Sequence, residues 1–279
     1  MIIDAHHHLW DPADRPYPWM DDSVAPIRRR FDVDDLRRAT AGTDVRRTIA
    51  VQAVHDADET AWLLAQPAPV AGVVGWVDLT ASDVADRLAS IRSSTGGDRL
   101  VGIRHQAQDE PDPAWLARPE VVRGVRAVAS AGLAFDLLVR ARDHEAAVAL
   151  VDAVPEGSFV LDHAGKPTID TGDPAWPDRV RELAARPNVT CKVSGLLTEA
   201  GADWRGRPVA RYARMVVEHF SPDRSLFGSD WPVSTLAAGY AEVLRTTGDA
   251  LADLSPTERD AVFRGTAERV YLAGAPAQT

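Results

Sequence analysis

Three consecutive histidines end the first apolar run of the chain, and two of them are spaced for joint chemistry. Side chains alternate along a strand, so His6 and His8 share one face, while His7 shares the other with Ile3 and Ala5. The apolar face would pack against helices, which leaves His6 and His8 on the opposite side. Two imidazoles at this spacing can bind one divalent metal ion or hold a substrate oxygen. The alternative is a group of solvated histidines at a strand end.

A second group combines a histidine with one of the rarest residue types of the chain. His163 and Lys166 lie in a stretch where Gly165 and Pro167 predict a tight turn after a strand. Lys166 and Lys192 are the only lysines among 31 basic residues. Lysine is a compact charge with a tunable pKa, whereas arginine is a planar fork. We therefore expect both lysines to have roles that arginine does not fill.

A third group is centred on a carboxylate. Asp230 follows the last predicted strand between glycine and proline residues, where it could ligate a metal ion and take a proton from water. A helix N-cap or a turn is its alternative role. The neighbouring Trp231 would form a pocket wall or pack in the core. Four weaker candidates could bind substrate groups or form structural ion pairs and strand caps, and these are Arg104, His105, Lys192 and Ser194.

Two further sets have open roles. Gln106 and Gln108 could donate hydrogen bonds to a polar substrate or face solvent. Trp10, Tyr17 and Trp19 lie in a loop after the first strand, where they would either cover a site or pack beneath the loop.

The sequence alternates short apolar runs with amphipathic stretches. This alternation predicts the strands and helices that would bring these residues together. The runs are short and bounded by polar residues, glycine or proline, as strands are. Eight strands separated by helices predict a fold of the α/β class, a (β/α)8 barrel. The alternative, an open doubly wound sheet, typically has a glycine-rich loop after its first strand, and no such loop follows the first run here. The predicted strands are 1–5, 48–54, 70–77, 100–104, 134–139, 158–161, 189–193 and 225–228.

The helices predicted between these strands complete a single domain spanning 1–279, since no linker divides the chain. In a parallel barrel the carboxyl ends of all strands open at one mouth, so the candidate residues would meet there. The predicted helices are 84–93, 114–131, 143–153, 178–186 and 208–220, followed by a C-terminal helix at 257–272.

Composition narrows the classes of function. Acidic residues number 41 against 31 basic ones, and the net charge of −10 argues against a nucleic-acid partner. A single cysteine excludes a disulfide framework and a thiolate metal cluster within one chain. The longest uncharged stretch, 60–77, contains prolines and glycines, which argues against a membrane span. We expect a cytoplasmic protein whose partner is a small molecule.

Five motifs in order along the chain resemble the amidohydrolase superfamily. They are most similar to its amidohydrolase-2 branch of sugar-lactone hydrolases, the L-fuconolactonase-like and L-rhamnonolactonase-like proteins. The resemblance extends from Ile3 to about Val270 and implies a distorted (β/α)8 barrel. The motifs are Asp-Ala-His-His-His-Leu-Trp at 4–10, Gly-Ile-Arg-His at 102–105, Leu-Asp-His-Ala-Gly-Lys-Pro at 161–167, Lys-Val-Ser-Gly at 192–195 and Gly-Ser-Asp-Trp-Pro at 228–232.

The resemblance implies hydrolysis of a sugar-acid lactone, with Asp230 as the general base that activates water. An oxyanion develops on the ring ester and needs positive charge or hydrogen-bond donors already in place. The residues expected to supply them, alone or through a metal ion, are His6, His8, His163 and Lys192. The residues expected to contact the substrate are Arg104, His105, Lys166, Ser194 and Trp231.

The expected cofactor is either absent or one divalent metal ion, zinc or manganese. Binuclear members of the superfamily resemble one another in a bridging lysine or glutamate and two further histidines. Here the middle of the chain offers only His163, and the preceding strand carries Asp136 instead, so a binuclear centre is not expected. The ligands of a single ion would be His6, His8, His163 and Asp230.

Two other functions fit the same scaffold. One is a metal-dependent decarboxylase of a small aromatic or unsaturated acid, because such enzymes share the amidohydrolase-2 resemblance. The other is a barrel that binds a sugar acid without catalysis.

Overall fold

Eight parallel strands form the centre of the protein, as a computed structural model that describes residues 1–273 shows. Each strand pairs with the next one in chain order. The segment after the eighth strand pairs with the first, since the His8 amide donates to the Trp231 carbonyl at 2.7 Å. The predicted (β/α)8 barrel is therefore confirmed. The strands are β1 (Ile2–His7), β2 (Val45–Val51), β3 (Val70–Gly75), β4 (Leu100–His105), β5 (Ala134–Leu137), β6 (Ser158–Leu161), β7 (Val189–Val193) and β8 (Ser225–Phe227).

Helices surround the barrel and follow the strands in the alternation expected from the sequence. The helix predicted at 257–272 is not regular: α10 continues as π-helical turns at Ala261–Gly265 and Glu268–Leu272. The α-helices are α1 (Val33–Thr40), α2 (Ala57–Leu64), α3 (Val84–Ser93), α4 (Pro119–Ser130), α5 (His144–Ala153), α6 (Trp176–Ala184), α7 (Leu196–Glu199), α8 (Val209–Phe220), α9 (Tyr240–Ala250) and α10 (Pro256–Asp260).

The side chains of the first strand do not alternate between the inside and the outside of the barrel as the sequence predicts. Ile3 and Ala5 belong to the cluster of aliphatic side chains inside the barrel, so their predicted placement against the outer helices is wrong. Asp4 instead accepts a hydrogen bond from Tyr240 of α9, on the outside. The register of β1 against β2 shifts between Asp4 and His7, and this irregularity returns His6 to the interior.

The barrel interior has an aliphatic base and a charged layer above it. The base is closed by the C-terminal helical turns, which insert Tyr271 and Leu272 among the aliphatic side chains. The charged layer lies towards the carboxyl ends of the strands, where barrel enzymes place their chemistry. Within residues 1–273 no helix is both long and apolar enough to cross a membrane.

Candidate active site

Four of the predicted residues meet at the mouth of the barrel. The Nε2 atoms of His6 and His8 are 3.2 Å apart. Oδ1 of Asp230 lies 3.8 Å from Nε2 of His6, 3.6 Å from Nε2 of His8 and 3.9 Å from Nε2 of His163. All four side chains are buried, with Asp230 5% exposed. We call these four residues the mouth cluster.

The outer nitrogens of two imidazoles in the mouth cluster are held by neighbours. Nδ1 of His8 is 2.8 Å from the Val51 carbonyl, which only accepts, so the ring proton lies on Nδ1 and the lone pair on Nε2. Nδ1 of His163 is 2.9 Å from Oγ of Ser194. Burial lowers the pKa of His8, and it lowers that of His163 to about 4. Both rings are therefore neutral at pH 7.

Asp230 is ionised although it is buried. Burial opposes its charge, but His163, which is protonated at the acid pH where this carboxyl titrates, holds the pKa of Asp230 below its ordinary value. Its backbone has a φ of 55°, a left-handed conformation that costs a non-glycine residue energy. Its amide donates to the His6 carbonyl at 2.8 Å, which ties the segment after β8 to β1. A residue with a strained backbone therefore presents its carboxylate to three imidazoles.

Behind His6 lies a buried ion network around Lys192. The Nζ atom of Lys192 is 2.6 Å from Oδ2 of Asp136, 2.8 Å from Oδ1 of Asp162 and 3.0 Å from Nδ1 of His6. Burial disfavours the Asp162 carboxylate, but Lys192 and His6 hold its pKa well below the usual range. Burial raises the pKa of Asp136 to about 6 against the attraction of Lys192. Lysine fits here because its compact ammonium can reach three acceptors at once.

Arg104 joins this network from β4 and has little freedom to move. Its Nη1 donates to Oδ2 of Asp162 at 2.9 Å, and its Nε donates to Oε1 of Gln52 at 2.9 Å. Its Nη2 donates to the backbone carbonyl of Gln52. The guanidinium is 2% exposed, so its charge is compensated by Asp162 rather than by solvent.

A cavity of about 310 Å³ opens above the mouth cluster. Among the predicted residues, those that line it are His8, Arg104, His163, Lys166 and Asp230. Lys166 lies 3.6 Å from Glu199 across the cavity wall. Other lining residues include Trp19, Gln106, Gln108, Asp109 and Arg140. Trp19 of the first loop therefore borders the cavity, whereas Trp10 and Tyr17 are buried.

Five predicted residues are outside the cavity lining. His6 and Lys192 lie beneath it in the ion network, and Ser194 supports His163. Trp231 packs edge-on against Phe31, with ring centroids 5.4 Å apart. His105 is held in a stack of rings beside the cavity.

His105 takes part in a second cluster with Trp76, His55, Trp115 and Glu110, which we call the stacked cluster. Its ring lies 3.9 Å from the rings of both His55 and Trp115. Trp76 donates to Nδ1 of His105 at 3.2 Å, so Nε2 carries the proton and donates to Glu110 at 2.7 Å. The stack supports the loop after β4, because the amide of residue 106 donates to Nε2 of His55 at 3.0 Å.

Sequence reasoning gave no site role to several residues that the structure brings here. Asp162 precedes His163 in a motif already noted, so its position was the available signal. Gln52 and Tyr271 carried no signal, because their partners are distant in sequence. Two motif glycines also have a role: a Cβ at Gly195 would lie 2.8 Å from Nδ1 of His163, and one at Gly228 would lie 2.7 Å from Cβ of His6.

The mouth cluster fits one divalent metal ion by its donors. His6, His8 and Asp230 each offer one ligand atom within 4.8 Å of the others, and Nε2 of His8 presents a lone pair. Imidazole and carboxylate are the ligands that suit zinc. Asp136 and Asp162 are already paired with Lys192, so their charge is compensated without an ion.

Comparisons with known proteins agree with this geometry. A protein of Burkholderia multivorans named L-fucono-1,5-lactonase is 40% identical over 296 residues, covering 99% of this chain and 97% of that protein. A protein of Burkholderia ambifaria with the same name is 37% identical and covers 98% and 96%.

Solved structures give the same likeness. The crystal structure of an amidohydrolase from Burkholderia multivorans with bound zinc has a TM-score of 0.89 and 38% identity, covering 97% of this chain and 99% of that one. A 5-carboxyvanillate decarboxylase from Sphingomonas paucimobilis, at 18% identity and a TM-score of 0.66, shares only the fold. Residues 3–272 match the family described as Amidohydrolase, and the chain belongs to that family.

Proposed function

We propose that this amidohydrolase opens a sugar-acid lactone, L-fucono-1,5-lactone or a close relative, by adding water across the ring ester. The observation that carries the proposal is the ionised, buried Asp230 facing three imidazoles beneath a polar cavity. The two Burkholderia proteins named L-fucono-1,5-lactonase support the choice of substrate, because the likeness spans nearly the whole of each chain.

Asp230 is the general base. It takes a proton from water as the water oxygen bonds to the lactone carbonyl carbon. The tetrahedral intermediate then breaks its bond to the ring oxygen, and Asp230 returns the proton to that oxygen. The product is an open-chain hydroxy acid, which releases a proton at neutral pH. The lowered pKa of Asp230 keeps it ready to accept a proton at the start of each cycle.

Positive charge for the oxyanion is built into the site. Arg104 reaches the cavity, and Lys192 lies behind His6, with both cations held in place by Asp162. Charges fixed before the reaction stabilise a developing anion without reorganisation. His6, His8 and His163 complete the polar surround of the reacting carbonyl.

A single divalent ion, if one is held, would be bound by His6, His8 and Asp230, with His163 adjacent. It would polarise the carbonyl and lower the pKa of a bound water. Zinc and manganese are the ions we propose.

The substrate hydroxyls would meet polar groups of the cavity. We propose that Lys166 and Arg104 contact them directly. Ser194, Trp231 and His105 would act through neighbours, because none of the three lines the cavity. The decarboxylase and the non-catalytic barrel have no observation of their own in support, since the decarboxylase likeness is one of fold alone.

The test is proton release from a panel of aldonolactones, followed with a pH indicator before and after chelator treatment. We expect turnover of L-fucono-1,5-lactone well above the spontaneous rate. Asp230→Asn should lower kcat by about a thousand-fold. Asp109→Asn, a carboxylate on the cavity rim, is the matched control and should keep most activity. Wild-type rates equal to the spontaneous rate on every lactone would overturn the proposal.

A further inference from the structure

A line of buried contacts joins the C-terminal helical turns to the mouth cluster. Tyr271 lies inside the barrel base with aliphatic side chains such as Val160 and Leu226, and it is 4% exposed. Its hydroxyl is the only polar group that these turns place there among residues 268–272, and a hydroxyl buried this deeply needs a partner.

The partner is Asp136. The Tyr271 hydroxyl lies 2.7 Å from Oδ1 and 2.9 Å from Oδ2 of this carboxylate. Oδ2 also accepts from Lys192 at 2.6 Å. Asp136 is fully buried, so these two donors, rather than water, fix where its oxygens lie.

The ammonium of Lys192 links the position of Asp136 to the position of His6. It donates to Asp136 and to Nδ1 of His6, and it forms an ion pair with Oδ1 of Asp162 at 2.8 Å. It also lies 5.4 Å from the centre of the Tyr271 ring. A shift of Asp136 would therefore draw the ammonium away from His6 and release one side of the imidazole.

We propose that Tyr271 is a positioning residue for the active site: its hydroxyl holds Asp136, Asp136 with Asp162 holds Lys192, and Lys192 holds the His6 ring facing Asp230. The inference deepens the proposed function and rests on it for its kinetic arm. It assigns the C-terminal turns a part in turnover although they lie at the opposite end of the barrel from the cavity.

Tyr271→Phe removes the hydroxyl and keeps the ring beneath Lys192. We expect kcat to fall about ten-fold, as for other residues that orient a reacting group through a neighbour, with KM changed less than about two-fold. Tyr212→Phe is the matched control, because the Tyr212 ring packs on Trp176 outside the barrel and its hydroxyl makes no hydrogen bond within residues 1–273. It should leave kcat unchanged.

A second readout is independent of activity. Ring-nitrogen NMR signals of ¹⁵N-histidine-labelled protein should shift for His6 in Tyr271→Phe, with His144 and His219, on helices α5 and α8, unchanged. A purely structural role would lower the unfolding temperature without moving the His6 signal alone. An unchanged kcat with an unchanged His6 spectrum would overturn the inference. Inactive wild-type enzyme with a shifted His6 spectrum would overturn the proposed function and leave the positioning role standing.

Discussion

The mouth cluster and the stacked cluster contain nearly the same residue types, but the nitrogen atoms of their histidines are placed differently. Each combines at least two histidines with a carboxylate at distances suited to a metal ion. In the mouth cluster the Nε2 atoms of His6 and His8 face each other and Asp230. In the stacked cluster the rings of His55 and His105 lie 3.9 Å apart and 23° from parallel. Both nitrogens of His105 are hydrogen-bonded, to Trp76 and Glu110, and Nε2 of His55 accepts from the amide of residue 106.

The difference shows that residue types alone do not make a metal site. In the mouth cluster three imidazole nitrogens converge on Oδ1 of Asp230 beneath the cavity, although Nε2 of His6 also lies 3.3 Å from Nη1 of Arg104. In the stacked cluster both nitrogens of His105 are hydrogen-bonded, and the cluster supports a loop.

The sharpest way to break the comparison is to remove one imidazole from each cluster. His163→Gln should lower kcat/KM by about a thousand-fold, because the ring faces Asp230 at the reacting position. His55→Gln should cost less than about ten-fold, since it only loosens a cavity loop. Steady-state kinetics of the two variants on the same lactone decide this. Equal losses would mean that both clusters take part in the chemistry.

A second test concerns the cation beneath the mouth cluster. Lys192→Met leaves Asp136 and Asp162 buried without their shared ammonium, so the free energy of unfolding should fall by about 3 kcal/mol. Lys166→Met removes the chain's other lysine, whose pairing with Glu199 at 3.6 Å is looser, and should cost less than about 1 kcal/mol. Urea denaturation of both variants measures the difference. Similar losses of unfolding free energy in the two variants would show that Lys192 contributes no more to stability than Lys166.

Metal binding sharpens the comparison further. Zinc titrated into chelator-treated protein should bind at one equivalent, and His8→Ala should weaken that binding at least about ten-fold by removing a ligand. His105→Ala should leave the affinity unchanged, because both nitrogens of that ring are engaged. Calorimetry gives both values. A second equivalent lost only in His105→Ala would show that the stacked cluster opens to an ion.

The last prediction concerns Glu59, which supports the strand end next to the stacked cluster. Its Oε2 accepts from the amides of Ala53 and Val54 at 2.8 and 3.1 Å, and burial raises its pKa to about 7. The unfolded chain loses this proton at lower pH than the folded protein. Stability should therefore fall by about 3 kcal/mol as the pH rises from about 4.5 to about 7.

Glu59→Gln keeps the accepting oxygen and removes the charge, so this part of the pH dependence should vanish. Chemical denaturation at pH 5 and pH 8 measures the change, with the exposed Glu145→Gln as the control. An identical pH dependence in wild type and Glu59→Gln would show that the carboxyl ionises freely in the folded state.

Much of the site was accessible from the chain alone. The eight short apolar runs predicted the barrel, and the histidines and Asp230 at their ends predicted a shared mouth, because parallel strands gather their carboxyl ends. The likeness to the amidohydrolase family followed from motifs that are local in sequence. These inferences depend only on neighbouring residues and on one rule of fold geometry.

The tertiary structure decided which of those side chains meet beneath the cavity. His105 ends β4 and His163 follows β6, yet His105 is hydrogen-bonded to Glu110 and His163 faces Asp230. The register shift in β1 turns Ile3 inward together with His6, against strict alternation. Tyr271 reaches Asp136 across 135 positions of the chain, a pairing that no local pattern encodes. Hydrogen-bond partners assign the roles, and partners distant in sequence become neighbours only once the barrel has closed.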